Sequence, residues 1–170
     1  MFKRALIVLA AGLLGAWLFR TYLFEMIVVA TGSMEPTLYV KTNYLVYRSA
    51  YRLHGPRRGD IISFVSPADH ETVMIKRVIA IGGDTIELRR KQVLVNGALL
   101  NEPYTVHRRP KEDLVGDTLG PLRVPDHAVF VLGDNRDVSD DSASWKDPAS
   151  GQPIYFLSES NIRGRVLLFQ

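Results

Sequence analysis

The N-terminal residues divide the chain into two parts that follow different folding rules. Residues 5–19 form a run of fifteen residues without a charged side chain. As a helix, this run is about 22 Å long, short of the roughly 30 Å of a bilayer core. Arg20 can extend its charged end to the interface, and the aromatic segment 21–24 brings the helix to about 30 Å. The sequence therefore predicts one membrane anchor within residues 1–24.

A cleaved signal peptide is the alternative interpretation of the same segment. Val28 and Ala30 provide the small residues of a cleavage site, but Ala30 lies eleven residues beyond the apolar run, too far for a compact cleavage region. Lys3 and Arg4 favour a cytoplasmic N-terminus, so residues 25–170 are expected to face the outside. The expected location is the inner, cytoplasmic membrane, crossed once, with an extracytoplasmic domain.

After residue 40, short apolar runs alternate with turn residues, and no ten-residue amphipathic pattern separates them. This pattern predicts a mainly β fold, an antiparallel sheet or barrel-like domain preceded by a single N-terminal transmembrane helix. Asn96-Gly97 predicts a tight turn, and residues 102–123, rich in Pro, Gly and charges, predict a surface excursion. The predicted strands are residues 43–47, 60–65, 72–81, 85–88, 92–95, 128–132 and 163–169.

The composition excludes several kinds of site. Cysteine is absent, which excludes disulfides, thiolate metal sites and a cysteine nucleophile. The four histidines show no metal-ligand spacing, and no metal or organic cofactor is predicted. The 21 Lys and Arg residues exceed the 18 Asp and Glu residues only slightly and are scattered, so no nucleic-acid partner is predicted.

Ser33 lies in a turn-like heptapeptide, Gly-Ser-Met-Glu-Pro-Thr-Leu, at residues 32–38. Gly32 permits close approach of the backbone and Pro36 favours a turn, which together can hold a hydroxyl at a rim. Serine is a weak nucleophile until a base takes its proton, and no histidine lies nearby in the sequence. On local sequence alone, a linker between anchor and domain is the simpler explanation.

Lys76 lies in a predicted strand and is a candidate for the missing base. In an alternating strand, Lys76 and Arg77 face opposite sides, and each has apolar neighbours two positions away, so one of them must point towards apolar residues. A free lysine has a pKa of about 10.4, and it serves as a base near neutral pH only if burial disfavours the ammonium. The alternative is an edge-strand charge that prevents aggregation.

A polar loop at residues 133–142 follows the predicted strand 128–132. Its Asp, Asn and Ser side chains could attract calcium, but the loop lacks the glycine and the terminal glutamate of an EF-hand at their spacing. We interpret it as a scaffolding loop that orients another group.

Four segments along the chain form an ordered set: residues 32–38, Arg-Gly-Asp-Ile-Ile-Ser-Phe at 58–64, Lys-Arg-Val-Ile-Ala-Ile-Gly-Gly-Asp at 76–84 and Gly-Asp-Asn-Arg-Asp-Val-Ser-Asp-Asp-Ser at 133–142. In this order they resemble the successive boxes of type I signal peptidases, and the resemblance spans nearly the whole chain. It implies a serine endopeptidase, a hydrolase that removes N-terminal signal peptides from exported preproteins at the outer membrane surface. The implied partners are these signal peptides and the lipid bilayer, without a cofactor.

The resemblance also implies roles for individual residues. Ser33 is the implied nucleophile and Lys76 the implied general base of a Ser-Lys dyad. The implied oxyanion site pairs the backbone amide of Ser33 with the hydroxyl of Thr31, where the family more often has serine. Ser139 matches a family serine that hydrogen-bonds the lysine, and Asp141 matches a nearby structural acid.

The polar loop departs from the family pattern at one position. Ala143 stands where the family usually has an arginine that pairs with Asp141. Arg136 is the expected replacement partner for Asp141, and Asp134 is expected to support the site from the same loop.

Three other functions stay open on the sequence. One keeps the dyad but restricts the substrate, as in a dedicated maturation peptidase of a pilus or conjugation system. Another is an anchored β-domain that binds envelope partners, with Ser33 and Lys76 incidental. The third is a Ser-His-Asp hydrolase that uses His127 and Ser139.

Overall fold

The computed structural model describes residues 2–168, with the side chains of all of these except residues 2, 8 and 18–21. An α-helix, α1 (Phe2–Leu23), precedes a region built from strands. The strands of the described residues are β1 (Phe24–Val28), β2 (Asn43–Tyr47), β3 (Ile61–Val65), β4 (Val73–Ile81), β5 (Thr85–Arg89), β6 (Gln92–Val95), β7 (Ala98–Leu99), β8 (Leu119–Arg123), β9 (Ala128–Leu132), β10 (Leu157–Ser158) and β11 (Ile162–Leu167).

These strands form two sheets in which neighbouring strands are antiparallel. The larger sheet has the order β1-β2-β11-β3-β4-β9-β10, and the smaller has the order β7-β6-β5-β8. The closing strand β11 lies between β2 and β3, so the C-terminal strand is inserted between two strands from the N-terminal half of the chain. The mainly β, antiparallel prediction is therefore confirmed.

Tight turns in the smaller sheet follow from residues that accept a left-handed backbone. Asn96 and Gly97 have φ angles of 53° and 80° and connect β6 to β7, as predicted. Arg90 and Lys91, with φ of 46° and 71°, make the equivalent turn between β5 and β6. Two positive φ angles match the right-handed twist of a hairpin, which explains why both turns contain only two residues.

Four observed strands lie outside the predicted ones: the short β7 and β10, and the longer β1 and β8. β1 was outside the prediction because Phe24–Val28 reads as an interfacial and linker segment, yet every residue of β1 pairs with β2. Residues 102–123 end in β8 instead of running entirely over the surface, and β8 tolerates Pro121 because it is the edge strand of the smaller sheet. Phe169, the predicted end of the closing strand, lies outside the described residues.

The predicted anchor corresponds to α1, which ends directly before β1. No helix among the described residues has both the length and the apolarity needed to cross a membrane. The side chains of Arg20 and Thr21, which the sequence places at the interface, lie outside the described residues. The alternative cleavage site at Val28 and Ala30 adjoins the end of β1, so a cut there would remove an edge strand of the larger sheet.

Apolar clusters connect the sheets to the loops of the site. In one cluster, Ile86 and Val93 of the smaller sheet pack with Phe130 of β9. In another, Met34 and Leu38 pack against the larger sheet through Val46, Ile61 and Val166. The segment that follows Ser33 is thus part of the core, and it is not a free linker.

Candidate active site

Ser33 lies in a short 3-10 turn, Gly32–Met34, that follows the β1 edge. Met34 and Leu38 are 1% and 0% exposed, and their burial fixes the turn against the larger sheet. The peptide bond between Glu35 and Pro36 is cis. Ser33 itself is buried but contributes to the wall of a cleft, so its hydroxyl can be reached from that side.

Lys76 lies on β4 and contacts the serine directly. Its Nζ atom donates a hydrogen bond of 2.8 Å to the Oγ atom of Ser33. β4 lies between β3 and β9, and the Lys76 side chain is buried. Because this side chain is buried against Ser33, the interpretation of Lys76 as an exposed edge-strand charge is wrong. The structure brings together two residues that are 43 positions apart in the chain.

The environment of Lys76 favours the neutral amine. Burial lowers the pKa of the Lys76 ammonium, because the charged form loses its hydration in an apolar surrounding. The charges of Asp141, Asp140 and Asp134 act in the opposite direction, but the effect of burial is the largest. A neutral amine in contact with a serine hydroxyl can take its proton without a histidine.

Asn135 controls the direction of the peptide group between Gly32 and Ser33. Its Nδ2 donates to the carbonyl oxygen of Gly32 at 3.1 Å, and its backbone N–H donates to that of Ser33 at 3.0 Å. The backbone N–H of Glu35 also donates to the Gly32 oxygen, at 3.2 Å. In a trans peptide the C=O and N–H bonds point in opposite directions, so these contacts also fix the Ser33 N–H.

Thr31 lies next to the serine on the wall of the cleft. Its Oγ1 atom is 3.3 Å from the Oγ atom of Ser33, which places a second hydroxyl beside the reactive one. The Thr31 hydroxyl is thus a neighbour of Ser33, and its role as an oxyanion donor together with the Ser33 amide stays a prediction. Asn135 is not among the site residues predicted from the sequence, and its position in the polar loop is the only sequence signal that could have pointed to it.

Asp141 is satisfied by short-range donors instead of an arginine. Its carboxylate accepts hydrogen bonds from the backbone N–H groups of Gly133 and Ala143, at 2.9 and 3.1 Å, and from the Ser139 hydroxyl. Burial raises the pKa of Asp141, partly offset by these donors and by the charge of Lys76. Ser139 thus donates to Asp141, whereas the resemblance implied a hydrogen bond between Ser139 and the lysine.

The proposed replacement of the arginine by Arg136 is wrong. Arg136 donates to the carbonyl oxygen of Gly133 at 3.1 Å and forms an ion pair with Glu102, so it points away from Asp141. Beside Asp141, the small side chain of Ala143 leaves room for the segment 102–118, which approaches it at Gly116. A Cβ atom built on Gly116 would lie only 2.7 Å from the Cβ atom of Ala143. A backbone segment therefore packs where a long side chain would need space.

Asp134 forms the principal buried ion pair of the polar loop. Its two carboxylate oxygens accept from Nε and a terminal nitrogen of Arg77, at 2.8 and 2.7 Å. Thr37 donates to the same carboxylate, and the guanidinium lies 3.9 Å from the ring centre of Tyr104. The alternation of the strand predicts that Lys76 and Arg77 differ in burial. Both are buried, Lys76 against Ser33 and Arg77 against Asp134.

A cleft of about 320 Å³ opens beside Ser33 and Lys76. Its wall is mainly apolar, and it runs between β1 and the beginning of β4. Within residues 2–168, no group of three or more His, Asp and Glu residues is arranged to hold a metal ion. The residues that line the cleft are Glu25, Ile27, Val28, Val29, Ala30, Thr31, Ser33, Met34, Thr72, Val73, Met74, Ile75, Lys76 and Arg163.

The antiparallel domain and its buried serine–lysine contact are typical of the serine hydrolases that use lysine in place of histidine. The family model described as "Signal peptidase, peptidase S26" matches residues 2–169. The chain therefore belongs to the signal peptidase family S26, and it is a peptidase of that family.

Relatives and a solved structure agree with this assignment. The chain is 35% identical over 158 residues to signal peptidase I P of Bacillus subtilis subsp. natto, covering 87% of this chain and 84% of the relative. It is 36% identical over 132 residues to the probable signal peptidase I-2 of Synechocystis sp., covering 74% of this chain and only 57% of that protein. The crystal structure of a signal peptidase I from Enterococcus faecalis V583 aligns with a TM-score of 0.51 and 32% identity, over 66% of this chain and 97% of the other.

The Asp134 pair generates a prediction about stability. In Asp134→Ala, the buried guanidinium of Arg77 loses its charge partner, and we expect the free energy of unfolding to fall by about 3–5 kcal/mol. Urea unfolding in detergent, followed by the fluorescence of the buried Trp145, measures this change. Glu87→Ala is the matched control: it removes the exposed pair with Arg89 and should change the free energy by less than about 1 kcal/mol. Equal losses in the two variants would contradict the prediction.

Proposed function

We propose that the protein is a serine endopeptidase that cleaves N-terminal signal peptides from exported preproteins, with Ser33 as nucleophile and Lys76 as general base. The observation that carries this proposal is the 2.8 Å contact between the buried Lys76 amine and the Ser33 hydroxyl. Burial supplies what a lysine base requires, a pKa below its ordinary value. Membership of the signal peptidase family directs the proposal to signal peptides.

The reaction begins when Ser33 Oγ attacks the carbonyl carbon of the scissile bond and Lys76 Nζ takes the hydroxyl proton. The resulting ammonium then gives this proton to the leaving amine, and the C–N bond breaks to leave an ester on Ser33. A water molecule, deprotonated by the neutral amine, attacks the ester. The proton returns to Ser33 Oγ, and the signal peptide leaves as a carboxylic acid. Lys76 thus acts as base and as acid in turn.

The oxyanion formed in each attack is stabilised by the Ser33 N–H and the Thr31 hydroxyl. The fixed Gly32 carbonyl directs the Ser33 N–H, and the hydroxyl oxygens of Thr31 and Ser33 are only 3.3 Å apart, which supports this pair of donors. Donors that are already aligned do not reorganise when the charge develops. Ser139 and Asp141 act one step further away, because the Asp141 carboxylate stands near Lys76 and is held by Ser139.

The cleft accommodates an extended peptide with small apolar side chains. β1 is an edge strand of the larger sheet, and the pairing of β4 with β9 begins only at Arg77, so no strand of the described residues pairs with residues 73–76 on that side. An extended chain placed between these edges can add backbone hydrogen bonds, as in β-augmentation. The apolar wall beside Ser33 provides shallow contacts for the residues before the cut.

The assignment of α1 as the anchor completes the proposal. Its side chains Leu6, Leu9, Leu13 and Trp17 are each more than half exposed, and apolar side chains in such number favour contact with lipid. Residues 1–24 would form the cytoplasmic stub and the single span of the cytoplasmic membrane, and residues 25–170 the catalytic domain outside it. An anchored site meets signal peptides, which lie in the same bilayer, at a high effective concentration.

The central prediction concerns the dyad. Ser33→Ala removes the nucleophile and Lys76→Met removes the base, and we expect each to reduce cleavage of a preprotein by more than about 10²-fold in detergent or lipid. Both variants should keep the unfolding temperature within a few degrees of the wild type. The exposed Lys41 provides the control, since Lys41→Met should cut at the normal rate. Normal cleavage by Lys76→Met would exclude the dyad.

The lowered pKa of Lys76 predicts the direction of the pH dependence. The reactive form is the neutral amine, which is lost as the pH falls through the folded-state pKa of this lysine. We therefore expect kcat/KM to fall about tenfold per pH unit on the acid side and to level off at higher pH. Since burial lowers this pKa, the midpoint should lie well below the free-lysine value of about 10.4. A midpoint close to that value would show that the lysine is not desolvated.

Thr31 can be tested with substitutions that separate its hydroxyl from its shape. In Thr31→Val the side chain keeps its size but loses the donor, and we expect kcat to fall about 10²–10³-fold with a small change in KM. Thr31→Ser keeps the hydroxyl and should stay within about tenfold of the wild type. Steady-state kinetics on a fluorogenic peptide give both constants. A rise in KM without a fall in kcat would assign Thr31 to substrate binding instead.

A further inference from the structure

A second polar pair lies in the cleft, away from the serine and lysine. Glu25 and Arg163 line the same cleft as Ser33 and Lys76, but the stretch of β1 between Glu25 and Thr31 contributes only apolar side chains. Glu25 lies on β1 and Arg163 on β11, so the pair reaches across the intervening strand β2. The cleft thus has a reactive polar end and a second polar end, separated by an apolar wall.

The pair does not use all of its hydrogen-bonding capacity. A terminal nitrogen of Arg163 donates to Glu25 Oε1 at 2.8 Å, whereas Glu25 Oε2 is buried and has no hydrogen-bond partner. The Arg163 and Glu25 side chains are 33% and 28% exposed, so a part of each, though not Oε2, can be reached by a substrate. An ion pair with this exposure contributes little to stability. Its position in the cleft calls for another explanation.

We propose that Glu25 and Arg163 form a subsite for a carboxamide side chain, Asn or Gln, of the substrate; this rests on the proposed peptidase function. A carboxamide matches both members at once, because its NH₂ group donates to the Glu25 carboxylate and its oxygen accepts from the Arg163 guanidinium. A charged side chain is attracted by one member and repelled by the other. An apolar side chain leaves both without a new partner.

The spacing along β1 places this subsite relative to the cut. Glu25 is six residues before Thr31, and the backbone is extended over β1 and again at Thr31, where φ is −128° and ψ is 155°. At about 3.3 Å per residue, the distance is roughly 20 Å. A substrate that lies extended beside β1 covers the same distance with the same number of residues. For a substrate whose residues before the cut run from Ser33 towards Glu25, the subsite receives a residue about five to seven positions before the scissile bond.

The experiment compares peptides that differ only in one side chain. A series of signal-peptide substrates carries Gln or Met, which have similar size, at each position from four to eight before the cut. With the full-length protein in detergent, we expect kcat/KM to be about fivefold to tenfold higher for Gln at one position between five and seven, from two added hydrogen bonds, and equal elsewhere. Glu25→Gln and Arg163→Met should each reduce this ratio towards one.

Two variants sharpen the comparison. Arg165→Met removes another partly exposed arginine of β11, which pairs with Asp60 and does not line the cleft, and it should keep the Gln preference. The charge swap of Glu25→Arg with Arg163→Glu should restore part of the preference, because a carboxamide can turn over and exchange donor and acceptor. A wild type without a Gln preference, or a preference retained in both single variants, would overturn the subsite.

Binding separates this inference from the proposed function. The dissociation constants of the same peptides for the Ser33→Ala variant report the Gln preference without any cleavage. A preference in binding together with a wild type that does not cut would support the subsite and contradict the peptidase function. Cleavage that depends on Ser33 without a preference in binding or in kcat/KM would contradict the subsite alone.

Discussion

The contact between a buried amine and a serine hydroxyl imposes the main physical constraint on this protein. An ammonium that is removed from water without a full charge partner is destabilised, and this is why the pKa of Lys76 is lowered. In the proposed reaction the same burial makes the lysine useful as a base, so that chemistry would depend on a feature that opposes stability. β4 provides the support for this arrangement, because its neighbours β3 and β9 hold it within the larger sheet.

The polar loop after β9 connects the parts that have to meet. Asp134 holds Arg77, the neighbour of the base on β4, and Asn135 holds the carbonyl groups of Gly32 and Ser33. One loop thus fixes both the strand that carries the lysine and the turn that carries the serine. Gly133 allows this close approach, since a Cβ atom there would lie 2.6 Å from the Ser33 carbonyl oxygen.

The departure from the family pattern at Ala143 illustrates how a missing charge can be replaced. Asp141 keeps three hydrogen-bond donors and so does not require an arginine. Two are backbone amides, that of Ala143 two residues later and that of Gly133 directly after β9. The third is the Ser139 hydroxyl. The space beside Ala143 is occupied by the backbone of Gly116. Sequence comparison detects the lost arginine, but it does not reveal that the loop itself supplies the compensating hydrogen bonds.

The sequence by itself determined the mainly β class, most strand positions and the Asn96-Gly97 turn. It also identified Ser33 and Lys76 as the candidate nucleophile and base. These features depend on local patterns that the amino-acid sequence contains, such as alternating apolar and polar residues, turn residues and short motifs. The tertiary structure alone decided that Arg136 pairs with Glu102, that Asn135 holds the turn of Ser33, and that β1 joins the sheet. The physical reason is that a buried polar group takes whichever partner the packed chain brings within hydrogen-bond distance. Buried Asn135, for example, donates to the Gly32 carbonyl oxygen 103 positions earlier in the chain.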